Sequence, residues 1–249
     1  MPLHDWTKVN SGLYHHFHQM WTMHICRVLN RRGTMPETLS ALVEQRKGAQ
    51  EPDVVAVELA VPDESRAGSG GTAVLERPRT RIKRLSDNEH YAGKANRIVI
   101  RHRLGRIVAF IELVSPGNKD GAPAIRQFVE KVTESLRQGI HVLVADPFPP
   151  TPRDPDGIHK AIWDLIHVED FELPADQNRV LASYEGDGVF SAFIETVGVG
   201  DPLPDMQLFI APGAHILVPM EAAYMAAWDD TPPAVQRLVL DPIRSGTSP

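Results

Sequence analysis

The sequence predicts an α/β (α+β) fold: a mixed central sheet flanked by helices, with a C-terminal α/β extension. Three observations carry this. The run RIVAFIELV (106–114) is apolar on both faces of its strand alternation, as a strand buried on both sides must be. In PAIRQFVEKVTESLRQ, just beyond it, Ile125, Phe128, Val129, Val132 and Leu136 form one helical stripe. IHVLVAD then reads as a short buried strand, so strand, helix and strand make a right-handed crossover between parallel neighbours.

The other elements follow in chain order. Residues 11–30 read as a helix with Phe17, Trp21, Ile25 and Val28 recurring at helical spacing and Gly33 as a stop. TLSALVEQRK is compatible with a strand or a short helix. EPDVVAVELAV, rich in valine, reads as a strand, and VPDESRAGSGGT (61–72) as a loop. RIVIRHR and RIVAFIELV flank Leu104-Gly105 as a tight hairpin. After the proline-rich FPPTPRDPD, Asp156 is placed to cap a helix over GIHKAIWDLIHVEDF. VLASYEGDGVFSAFIETV reads as a hairpin around Gly186-Asp187-Gly188, and the segment from Leu203 as a strand and then a helix. The expected organisation is a single domain over 1–249. Within it, a core spans 36–147 with the N-terminal helix 11–30, and an extension over 148–249 packs on that core.

Composition narrows the function classes. The chain has 249 residues, 42% hydrophobic and 23% charged, which suits a globular protein. No apolar run is long enough to span a membrane and the N-terminus has no signal-peptide pattern, so no membrane partner is expected. The single cysteine, Cys26, suits a reducing, cytoplasmic setting. Net charge is −6, yet residues 76–106 hold ten Lys/Arg against three acids, a local excess of +7 that leaves −13 elsewhere. This band, including Arg79, Arg81, Lys83, Arg84, Arg101 and Arg103, is either a phosphate-binding surface for DNA or RNA or a solvated basic face. Whether the chain forms a homodimer is left open.

His15 and His18 share a helical face, but with no Cys or carboxylate partner nearby, packing explains them better than a metal. Ser115 lacks a G-x-S-x-G setting, and no G-x-x-x-x-G-K-[ST] is present. Asp146, Asp154 and Asp156 could bind a cation, but caps and turns explain them more simply.

Glu112 is the residue that calls for explanation. A charge in a strand buried on both faces costs several kcal/mol, on the order expected for an unpaired buried ion, unless it is paired or binds a metal. It either pairs with a local Arg or Lys or faces a cleft. Asp53 begins another strand after Pro52. Two carboxylates from neighbouring strand ends hold Mg²⁺ or Mn²⁺ through oxygen ligands, and a nearby lysine stabilises charge on a phosphate.

These residues carry a resemblance. PDVVAVE, then AFIELVSPGNK, a helix with Lys131, and GIHVLVADP are similar to the restriction-endonuclease-like PD-(D/E)XK superfamily, and within it to bacterial Uma-two-type endonucleases. Over nearly its whole length, through MPLHDW, SPGNK, DPDGIHKAIW and LPDMQLFIAPGAHILVP, the chain also resembles a bacterial domain-of-unknown-function family of the same fold. The resemblance implies a restriction-endonuclease-like sheet and a divalent-metal-dependent nuclease. Asp53 and Glu112 match the two acids of the signature. Val114 stands where the lysine belongs, so Lys131 in the next helix and Lys119 just past the strand compete for that role. Glu44 is the candidate for a further upstream acid. The alternative is a catalytically degenerate member that binds nucleic acid or protein.

Overall fold

A computed structural model describes residues 3–45, 96–102, 105–186 and 190–240. Asp53, the strand expected over 51–61, and Arg79, Arg81, Lys83, Arg84 and Arg103 lie outside them. Among the described residues, no helix is long and apolar enough to cross a membrane.

The chain begins with a short 3₁₀ turn, Trp6–Lys8, and helix α1, Ser11–Leu29. Asn10 caps α1 by accepting a hydrogen bond from Leu13 N at 3.0 Å. The buried stripe runs Phe17, Trp21, Ile25 and Leu29, with Val28 half-buried. TLSALVEQRK resolves as strand β1, Leu39–Gln45, followed by β2, Asn96–His102, and β3, Ile107–Leu113. Next come a four-residue helix α2, Pro116–Lys119, the long helix α3, Ala122–Arg137, and β4, His141–Asp146. Helix α4, Gly157–Trp163, leads to β5, Arg179–Glu185, and β6, Ser191–Val197. Strands β7, Met206–Ala211, and β8, Ala214–Val218, precede α5, Met220–Asp229, and α6, Pro233–Leu240.

Strands β1 to β6 lie in chain order in one sheet. Every pairing is antiparallel except β3 with β4, which the α3 crossover makes parallel as expected. The extension does more than pack on the core, because β5 and β6 continue the same sheet. Strands β7 and β8 form a separate antiparallel hairpin turned at Gly213, whose φ of 67° suits glycine. One strand was expected there; the turn at Pro212-Gly213 makes two. Helix α4 ends at Trp163, short of the expected 171. Asp156 sits at its N-cap but makes no side-chain capping bond.

The sheet separates two apolar clusters. One lies under α1 and α5, the other under α3 and α4. All of β3 is buried, and Phe110 and Val114 face α3 while Ala109, Ile111 and Leu113 face α1. Below Ala109 the expected alternation fails. Ile100 pairs with Ala109 but Arg101 pairs with Ile107, so Val108 is an extra, bulged residue. The bulge turns Val108 towards the α1 side and Ile107 towards the α3 side.

Candidate functional site: a buried glutamate and lysine under α3

Helix α3 buries the whole predicted stripe, Ile125, Phe128, Val129, Val132 and Leu136, against the sheet. The same face also buries Lys131, Thr133 and Ser135. The two hydroxyls satisfy themselves on the helix backbone: Ser135 Oγ donates to Lys131 O at 2.7 Å and Thr133 Oγ1 to Val129 O at 3.0 Å. Lys131 cannot be satisfied that way. Its ammonium passes over the Phe128 ring, 4.9 Å from the centroid, and reaches Glu112 Oε1 at 2.7 Å. Glu112 is 1% exposed and Lys131 7%. The carboxylate on the central strand is compensated by the ammonium of the following helix.

The surrounding row of residues is charged towards β1 and apolar towards β6. Glu112 stands opposite Val144 of β4, which stands opposite Ala182 of β5. On the other side, Arg97 of β2 lies one step beyond the Ile98–Ile111 pair and directly opposite Glu44 of β1. The Arg97 guanidinium sits over the Phe110 ring at 5.3 Å and reaches Glu44 Oε2 at 3.5 Å. Arg101 holds Glu44 Oε1 more firmly, through Nε at 2.7 Å and through Nη2, and its Nη1 donates to Gly105 O. Glu44, the expected upstream metal ligand, is thus gripped by two guanidiniums. Arg101 is correspondingly engaged within the sheet and does not present its fork outward to a phosphate, as its place in the basic band had suggested.

Lys119 goes elsewhere. Ser115 N and Oγ both donate to Asn118 Oδ1, at 2.8 and 2.9 Å, and Asn118 N returns to Ser115 O at 2.9 Å. This turn aims Lys119 inward, away from solvent. Its ammonium meets Asp146 Oδ2 at 2.7 Å, Asp154 Oδ2 at 2.8 Å and Pro149 O at 3.0 Å. The contact to Pro149 O is a hydrogen bond and the two to the aspartates are ion pairs. Lys119 is therefore engaged in this buried cluster, whereas Lys131 is the lysine that meets Glu112. Burial alone would lower its pKa, but the two aspartates more than offset this and raise it.

Sequence reasoning assigned Asp146 and Asp154 to caps and turns and missed them as ion-pair partners. It also missed two α1 side chains that hold the end of β3. Tyr14 Oη donates to Val114 O at 3.0 Å, and His18 Nε2 donates to Leu113 O at 2.9 Å. Because a carbonyl only accepts, the His18 proton is on Nε2; burial lowers the pKa of the ring and keeps it neutral. The available signal was polar residues recurring on the apolar stripe of α1. Val114, in the slot of the signature lysine, is fully buried in the apolar cluster under α3.

Among the described residues, no group of three or more His, Cys, Asp or Glu side chains is placed to hold a metal ion. Comparison with protein-family models, curated proteins and solved structures finds no match to the chain.

Proposed function

We propose that the chain is a divalent-metal-dependent nuclease of the restriction-endonuclease-like kind, acting on phosphodiester bonds of DNA or RNA. The observation that carries this reading is the Glu112–Lys131 pair, 2.7 Å apart across the strand-to-helix step. The nuclease signature asks for a carboxylate and a lysine in that relation, and a lysine on the following helix substitutes for the one displaced by Val114. The element order supports the same reading: a helix, antiparallel strands, then a helical crossover to a parallel strand.

Glu112 has the oxygen-donor chemistry that Mg²⁺ or Mn²⁺ requires, as does Glu44, whose carboxylate is held by Arg97 and Arg101. Glu112 with Asp53 would hold the cation, which when bound supplies Lewis-acid polarisation of the phosphate and a more acidic water. Lys131 holds the Glu112 carboxylate in position, and its ammonium offsets negative charge developing on the scissile phosphate. Arg79, Arg81, Lys83, Arg84 and Arg103 supply the phosphate-binding charge. The lone cysteine suits a reducing compartment, and we place the activity in the cytoplasm.

A second reading is a catalytically degenerate module that binds nucleic acid or protein. The near-complete burial of both Glu112 and Lys131 favours it, since two charges that neutralise each other out of water need no further ligand. Calorimetric titration with Mn²⁺ separates the two readings. The nuclease binds the ion, and Glu112→Ala abolishes the heat. A module gives no heat with either protein.

A further inference from the structure

The Lys119 cluster sets two carboxylates against one ammonium where water does not reach. Lys119 is 4% exposed and Asp146 and Asp154 are 2% each. With both carboxylates ionised, the cluster carries one uncompensated negative charge. Among the described residues, the groups facing it do not supply a counter-charge. Tyr14, from α1, has its phenol pKa raised well above the usual value by burial and by Asp146, so it stays neutral. Arg153 is exposed, and its guanidinium reaches the Lys119 carbonyl at 3.5 Å on the solvent side. The remaining wall against Asp146 is apolar, including Leu3, Trp21, Leu181 and Leu203.

The two aspartates differ in how well their charge is supported. Asp154 accepts from Thr151 N at 2.9 Å and from Thr151 Oγ1, and is ion-paired with Lys119. Asp146 accepts from Phe148 N at 3.1 Å and from Lys119. Asp146, the carboxylate with fewer donors, is the place for a proton.

We propose that the Lys119–Asp146–Asp154 cluster is a proton-binding clamp: in mildly acidic medium Asp146 takes up one proton, the cluster becomes neutral, and the 147–156 connection is held more tightly against the carboxyl ends of β3 and β4. Burial, against the opposing pull of Lys119, raises the Asp146 carboxyl from 3.8 to about 6. A carboxyl that binds its proton more tightly in the folded chain than when released favours the folded arrangement as pH falls through that value. The clamp stands apart from the Glu112–Lys131 pair and does not depend on its function.

The test is a carbon-13 NMR titration of the Asp146 side-chain carboxyl in the full chain. The expected midpoint is about 6. Asp154→Asn removes the like charge and shifts the midpoint down, whereas Lys119→Met removes the ammonium and shifts it up. Exchange of the Phe148 amide, corrected for its intrinsic pH dependence, slows through the same midpoint. A wild-type midpoint near 3.8, the ordinary aspartate value, overturns the proposal, as does a midpoint that Asp154→Asn leaves unmoved.

Discussion

Lys131 and Glu112 come from different elements, a helix and the central strand beneath it, and meet at 2.7 Å in the protein interior. The strand is buried throughout, and the helix face around Lys131 buries an apolar stripe with two hydroxyls bonded to their own backbone.

Removing either member alone leaves the other charge buried. Glu112→Leu or Lys131→Met should each cost roughly 3–5 kcal/mol in urea unfolding. The double substitution should cost much less than the sum, because no charge is left behind. Additive losses would mean that the two side chains are not coupled.

Lys119 predicts a different pattern. Lys119→Met leaves two carboxylates facing each other and should lower stability by about 3–5 kcal/mol, at the upper end of single-site effects. Phosphodiester cleavage per folded molecule should be unchanged, because Lys119 is committed to Asp146, Asp154 and Pro149 O. A loss of turnover at full folding would return Lys119 to the catalytic site.

Two buried histidines set an acid limit. Tyr224 Oη accepts from His4 N and Trp6 Nε1, so its own proton goes to His4 Nδ1, which must be unprotonated. A 2.8 Å hydrogen bond joins His159 Nδ1 to Tyr184 Oη. Burial lowers both rings from 6.5 to about 4. A depressed pKa makes the stability they contribute present above pH 6.5 and lost as pH falls towards 4. The loss should be on the order of 1–3 kcal/mol per ring, and His159→Gln should flatten its share of the pH profile measured by chemical denaturation. The opposite slope from Asp146 overlaps this window, which is why the clamp is tested by its own carboxyl resonance and not by global stability.

Much of the fold was legible in the residues. A strand apolar on both faces, an α3 stripe with few exceptions, and hairpins marked by Gly105 and Gly186 each rest on local pattern, and local pattern was enough. The Val108 bulge was not legible, because register depends on the partner strand. Glu112 was legible as a buried charge needing a partner, but the choice between Lys119 and Lys131 was not. That choice depends on which acids lie across a crossover, and Asp146 and Asp154 looked like ordinary loop residues. Glu44 and Arg101 misled for the same reason: each is the other's partner on adjacent strands.

The most direct test of the nuclease account is cleavage of single- and double-stranded DNA and RNA by the full chain with Mn²⁺ or Mg²⁺ and with chelator. The account predicts metal-dependent cleavage that falls by at least about 10²-fold in Glu112→Gln and in Lys131→Met, the scale on which removing one electrostatic contributor acts, with Lys119→Met unaffected per folded molecule. Metal-dependent cleavage that survives Glu112→Gln, or no cleavage by the wild-type chain on any of these substrates, would contradict it.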